Sequence, residues 1–336
     1  MIELKEDSLE FSFPEVHKAA NLSIGFQRTL RIPDDEKTYG LPPGLGSFPL
    51  RHVDDFSEKV SPAWMEHGGI LLPMYQSEAM WINFSSRYPF AIKIATGKVN
   101  AVTGDAWTDG LHVGPQDYVV APDQPWLDGY VVEKGVIRQF VAMPLGAGYS
   151  AEEQITKEAK FGGLQIMAYP LKASAYKPMP ESRFGMMEDI GESAEALDSV
   201  VECASADMGL APGGRMTQKI YDDSHKMEDW ELEHSSRCFV HLANSLVWRQ
   251  ITGKEPPTVP PTSKEYTDAG LPWFEYYDDK LSAVKGSDKL KGMKSVNTMG
   301  KEKGDKPLPE NESVTPEKVV VLRKGLKKGQ VREWAA

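Results

Sequence analysis

Cysteine is scarce in this sequence: 336 residues include only two, Cys203 and Cys238. Two thiols cannot make a disulfide framework or a four-thiolate zinc site. A hydrophobic core therefore has to hold the fold, and both cysteines are expected to be buried and reduced. Long apolar runs are missing too, since no stretch approaches the roughly 18 apolar residues that a membrane-crossing helix needs. The first residues, Met1-Ile2-Glu3-Leu4-Lys5-Glu6-Asp7, have neither the basic start nor the apolar run of a secretion signal. These absences predict a soluble, cytoplasmic protein with no membrane partner. No internal repeat occurs, and neither does G-x-S-x-G, H-E-x-x-H or H-x-H, so hydrolase elbows and helical zinc sites have no foothold.

What is present is the makeup of a folded, acidic protein. With 40% apolar and 26% charged residues the chain can bury a sizeable core, and its length suits about two domains. The net charge of −11 is unevenly spread. Residues 281–336 carry 13 Lys/Arg against 7 Asp/Glu, net +6, and residues 1–280 carry 25 against 42, net −17. An acidic body repels nucleic acid and anionic membranes, whereas the basic tail can meet either or fold back on the body.

The hydrophobic pattern favours strands. From Leu9 to Ile32 apolar residues alternate or run in short groups, as in Phe11-Ser12-Phe13 and Leu22-Ser23-Ile24-Gly25-Phe26. Residues 33–52 are rich in Pro and Gly and predict a long ordered loop that covers a site or an edge. Between residues 88 and 145, Ala91–Ala95, Lys98–Val102, Tyr118–Val120, Tyr130–Val132 and Val136–Val141 are β-branched and aromatic runs. Thr96-Gly97, Thr103-Gly104-Asp105, Asp128-Gly129 and Lys134-Gly135 separate several of them, and glycine supplies the positive φ of tight turns. This predicts an antiparallel meander. Ile92 and Ile94 alternate with Lys93, so one face is buried and the other wet, as in a sandwich or small barrel.

Short helices punctuate the rest. Ser150-Ala151-Glu152-Glu153 is a capping box that opens a helix with Ala151, Ile155 and Ala159 on one stripe, and Leu164–Leu171 follows as a strand. Residues 172–195 read as a surface crossing. Arg237–Leu242 suits a strand, Asn244 the cap of a helix ending at Gly253, and Thr262-Ser263-Lys264-Glu265 a further capping box. The expected fold is mainly β (α+β) with a few short helices. Its organisation is a β-rich domain over 1–195, a smaller mixed α/β portion over 196–296 packed on it, a flexible linker at 297–316 and a basic tail at 317–336. In that tail, Val319-Val320-Val321-Leu322 suits a docked strand or a peptide-like motif.

Four groups of residues are candidates for chemistry. Gly146-Ala147-Gly148-Tyr149-Ser150-Ala151 fits G-x-G-x-x-A, the looser dinucleotide fingerprint, where glycines let a phosphate approach the backbone and a helix start offers free N–H groups. Gly146, Gly148 and Ser150, with Arg138 as the cation, form the candidate anion site. A structural turn is the competing reading, because the next strand ends Tyr169-Pro170-Leu171-Lys172 with no acid for a ribose. Asp222, Asp223, His225, Glu228, Glu231, Glu233, His234, Cys238 and His241 are metal-binding residue types. On a strand, however, Cys238 and His241 face opposite ways, and neither a metal nor a cofactor is expected. Trp126, Trp273 and Tyr276 belong to aromatic stretches that suit either a stacking surface for a sugar or base, or core packing. Pro257-Thr258-Val259-Pro260 has P-x-x-P spacing without a close basic neighbour and reads as a rigid connector.

The strings Leu41-Pro42-Pro43-Gly44-Leu45-Gly46, Leu72-Pro73-Met74-Tyr75-Gln76, Gln139-Phe140-Val141-Ala142-Met143-Pro144-Leu145-Gly146, Arg237-Cys238-Phe239-Val240-His241 and Ala269-Gly270-Leu271-Pro272-Trp273-Phe274 resemble a family of hypothetical proteins of bacteria and fungi. The resemblance covers about residues 25–296 and leaves the basic tail outside. It implies one folded body and assigns no residue a role. The sequence therefore points to a β-rich protein that binds a small molecule or a protein partner. The alternative is an enzyme acting on a small anionic or phosphorylated molecule at the Gly146–Gly148 turn, with His241, His234 or Arg138 nearby.

Overall fold

The computed structural model describes residues 1–178, 207–277, 281–308 and 311–323. Two large sheets dominate it. The first runs, in spatial order, Ile2–Lys5 (β1), Ser8–Ser12 (β2), Asn21–Thr29 (β3), Ala79–Ser86 (β8), Val136–Pro144 (β14), Met208–Thr217 (β16) and Thr38–Tyr39 (β4). Gly44–Ser47 (β5), Trp126–Leu127 (β12) and Gly129–Glu133 (β13) pair with β3, β8 and β14. The second sheet runs Val99–Asn100 (β10), Phe90–Thr96 (β9), Leu164–Pro170 (β15), Ser236–Ala243 (β17), Ile70–Pro73 (β7) and Arg51–His52 (β6), with Val119–Ala121 (β11) on β9. Trp273–Tyr277 (β18) and Val319–Arg323 (β19) form a separate parallel pair. The short helices are Pro62–His67 (α1), Ala151–Thr156 (α2), Ser245–Thr252 (α3), Ser263–Asp268 (α4), Asp288–Lys291 (α5) and Val296–Lys303 (α6). The mainly β, antiparallel expectation holds, and no barrel closes among the described residues.

Alternation along the strands builds the core. Leu22, Ile24 and Phe26 of β3 and Met80, Ile82 and Phe84 of β8 are buried in the same cluster as Ile92 and Ile94 of β9, Leu164 and Ile166 of β15, and Cys238, Val240 and Leu242 of β17. One cluster joining both sheets makes this a two-layer packing. Tyr130 crosses it with its hydroxyl, which is 2.9 Å from Thr96 Oγ1 in the second sheet and 2.8 Å from the Leu210 carbonyl in the first. Burial pushes the Cys238 thiol up to about 12, as befits an inert core cysteine; Cys203 lies outside the described residues.

Several expectations meet particular strands. The runs between residues 88 and 145 are strands, but they divide between the layers: β9, β10 and β11 pair in the second sheet, β12, β13 and β14 in the first. Two short strands of the Pro/Gly-rich stretch 33–52 add to the first sheet, β4 parallel to β16 and β5 antiparallel to β3. The 195/196 boundary runs through both sheets. β16 pairs with β14 from Val136↔Thr217 to Pro144↔Met208, and β17 sits between β15 and β7. In and beside the span expected as a linker, Val296 and Met299 of α6 and Leu308 beyond it share an apolar cluster with Tyr149 and Ala147, and Tyr149 Oη donates a short hydrogen bond to Asp305. α2 is shorter than its apolar stripe suggests. Lys157 turns left-handed (φ 65°), and the Glu152 carboxylate draws the chain back by accepting from Phe161 N and Gly162 N. Most of the surface crossing at 172–195 lies outside the described residues.

Asp128, which follows β12, supplies a test of this core. It is buried, accepts from Trp126 Nε1 at 2.8 Å, and has its carboxyl pushed up to about 7 by desolvation, an effect the Trp126 bond partly offsets. Its pKa is raised on folding, so the native state holds a proton that the unfolded chain has released between about pH 4 and 7. Stability therefore falls as pH rises through that window, by up to about 1.4 kcal/mol per unit. Asp128→Asn should remove this slope and gain about 2–4 kcal/mol relative to wild type between pH 4.5 and 7.5 in urea titrations. Parallel profiles for the two proteins would refute the assignment.

Candidate functional site

The Gly146–Gly148 turn follows β14 and leads into α2, as its sequence suggests, with Gly148 at φ 77°. Its donors are already used. Glu153, the third residue of α2, turns its carboxylate back so that Gly148 N donates to Oε1 at 2.6 Å, while Ser150 N and Ser150 Oγ donate to Oε2 at 3.2 and 2.7 Å. A phosphate would have to displace this carboxylate. Lys303 reaches the other side of the turn, bonding the Ala147 carbonyl and lying over the Tyr149 ring. Arg138 is not part of this constellation. It lies near the opposite end of β14, about 25 Å along the chain from Gly146, and its guanidinium meets the Gly213 carbonyl, Glu36 and Asp34.

The other candidates also separate. Trp126 is 7% exposed and packs edge-on against Trp81, whereas Trp273 is fully buried between Tyr39 and Tyr266. Tyr276 is in β18, but its side chain is outside the described residues. Trp126 and Trp273 are therefore interior packing and make no common aromatic surface. Of the acid and histidine cluster, Asp223 is a structural acceptor for Tyr118 Oη, Trp230 Nε1 and His225 N. Glu231 meets His234 at 3.7 Å. No group of three or more metal-ligating side chains occurs among the described residues.

A hollow of about 360 Å³ opens instead between α1 and α3, at the β7 side of the second sheet. Its position follows from two helix starts. Ser61 accepts from Trp64 N at 3.3 Å, Pro62 follows at the first helical position, and the short α1 turns Trp64 inward. Asn244 caps α3 by accepting from Val247 N at 2.9 Å, and the helix buries Trp248 and Ile251. Trp64, Val60, Val247 and Ile251 supply an apolar floor; Lys59, Ser61, Gln250 and Asp207 supply the polar wall. Lys59 Nζ donates to the Ile251 carbonyl at 3.1 Å, and burial raises the Asp207 carboxyl above its ordinary range.

Behind Trp64 the hollow joins a line of stacked rings. Trp64 lies on His241 at 4.8 Å and 21° between planes, and His67 lies on Phe239 at 4.6 Å and 26°. Burial pulls His241 down to about 4, against its bond to the Gly68 carbonyl, so the imidazole is neutral at pH 7. Cys238 and His241 do face opposite ways on β17: the thiol is in the core and the imidazole outside the sheet. Sequence reasoning missed Trp64, Val247 and Ile251. Their local traces are helix signals alone, the Ser61-Pro62 start for Trp64 and the Asn244 cap with Gly253 for Val247 and Ile251.

The chain matches no family model, no curated protein and no solved structure in comparisons with known proteins.

The turn's role as a cap is testable. Glu153→Ala should lower stability by about 1–2 kcal/mol and Ser150→Ala by about 0.5–2 kcal/mol. Because the two side chains bond each other, the double variant should lose less than the sum in thermal or urea unfolding. Additive losses would show that they act separately.

Proposed function

We propose that this protein binds a small organic molecule in the hollow between α1 and α3. The observation that carries the reading is the hollow itself, about 360 Å³ with a tryptophan on its floor and convergent polar groups on its wall. That volume lies within the range of small-molecule sites, which pair an apolar lining with a few fixed polar groups. The ligand class follows from the lining. A flat apolar or aromatic body fits against Trp64, Val247 and Ile251, and a hydrogen-bonding group on it reaches Gln250, Ser61 or Asp207. An enzyme built on the Gly146–Gly148 turn draws no support from the geometry, because Glu153 occupies the donors an anion would need.

Aromatic fragments bearing one polar group should bind with Kd in the micromolar to millimolar range and quench Trp64 fluorescence. Val247→Trp fills the hollow from a half-buried position on α3 and should weaken each such fragment at least tenfold while the protein keeps its fold. If ligand-observed NMR finds no fragment that Val247→Trp displaces, the hollow is not a binding site.

A further inference from the structure

A second feature lies on the outer face of the same sheet, beyond the ring stack, and rests on different residues. Arg237 of β17 is exposed and places its guanidinium over two rings, 4.8 Å from the Trp107 centroid and 4.7 Å from that of Phe239. Across β15, the exposed Lys98 in the β9–β10 turn sits 4.2 Å from the Phe161 centroid. His67 links the two sides, 5.5 Å from Phe161 and 4.6 Å from Phe239. The circuit closes where Trp107 N donates to the Lys98 carbonyl at 2.8 Å. Inside it lies the fully buried Gln165, whose amide donates to the Gly97 carbonyl at 2.5 Å and accepts from Arg237.

The two cations differ from the surface cations that are paired with carboxylates. Lys5, Lys37, Lys160, Arg249, Lys264, Lys289, Lys291 and Lys294 each meet a carboxylate within 4 Å. Arg237 and Lys98 meet none within 4 Å among the described residues, although Asp109 accepts from Nε1 of Trp107, the ring under Arg237, at 3.3 Å and residues 1–280 carry a net charge of −17. Ring contacts hold them in place without neutralising them, which limits the rotamer entropy a bound anion would otherwise cost. Of Arg237's five N–H donors one is used by Gln165, so a fork remains for an oxyanion. Arg237 is in register with Met167 of β15 and, one strand further, with Lys93 of β9, and Lys98 lies five residues beyond Lys93 in the turn, so the two backbone positions are more than about 10 Å apart, farther than a single phosphate can bridge.

We propose that this face is a binding site for a short chain of phosphate groups, gripped at one end by Arg237 and at the other by Lys98. The probes are inorganic phosphate, pyrophosphate and tripolyphosphate, with a sulfated disaccharide and a short oligothymidylate as competing polyanions. Tripolyphosphate should bind the full chain at low salt in calorimetry and shift the Trp107 indole N–H resonance, and a single phosphate should bind at least tenfold more weakly. Arg237→Gln and Lys98→Gln should each weaken tripolyphosphate at least tenfold, with unchanged melting temperature for Lys98→Gln, whose side chain is exposed and bonds no buried group. Val247→Trp should leave it untouched, which keeps this result apart from the fate of the hollow. No tripolyphosphate binding by wild type would overturn the proposal. So would binding that survives both Gln variants, or tighter binding of the disaccharide or oligonucleotide than of tripolyphosphate.

Discussion

The ladder between β14 and β16 is the constraint on which the remaining architecture depends. It runs the length of both strands, from Val136↔Thr217 to Pro144↔Met208, with one register shift between Arg138 and Phe140. Fixing β16 there puts Leu210 under Tyr130, whose hydroxyl then ties the first sheet to Thr96 of the second. It also places the neighbouring Asp207 at the rim of the α1–α3 hollow, and sets Gly209 against Ser150, where a Cβ would come within 2.9 Å of the Ser150 Cβ. Sheet spacing, the hollow and the seat of α2 thus share one cause.

Local patterns carried much of the fold. The capping boxes at Ser150 and Thr262, the Asn244 cap with Gly253 closing α3, and the hairpins at Gly97 and Gly135 are all decided by a few neighbouring residues, so the chain announces them. Layer membership is not local. Nothing in Tyr118–Val120 or Tyr130–Val132 says that one belongs to the second sheet and the other to the first, because both are apolar on both faces. The same holds for β7, a fully buried four-residue strand whose partner β17 comes about 170 residues later.

The candidate sites show where sequence reading stops. A glycine turn before a capped helix has the donors of an anion site, but whether they are free depends on a side-chain rotamer, here that of Glu153. Aromatic density was equally ambiguous. Trp126 and Trp273 were prominent in sequence and ended in the interior, where indole area packs best. Trp64, Trp107, Phe161 and Phe239 are far apart along the chain, and only the stacking of β9, β15 and β17 gathers their neighbourhood.

The parallel pairing of β7 with β17 has a consequence for synthesis on the ribosome. Until Ala243 has emerged, the second sheet lacks the strand that separates β15 from β7, and two apolar edges stand open on the nascent chain. The strands before β17 must therefore wait for residues 236–243 before the second sheet can close, and they are exposed to chaperones and to self-association meanwhile. A transcript truncated before that point would yield not a smaller version of this protein but an aggregating fragment.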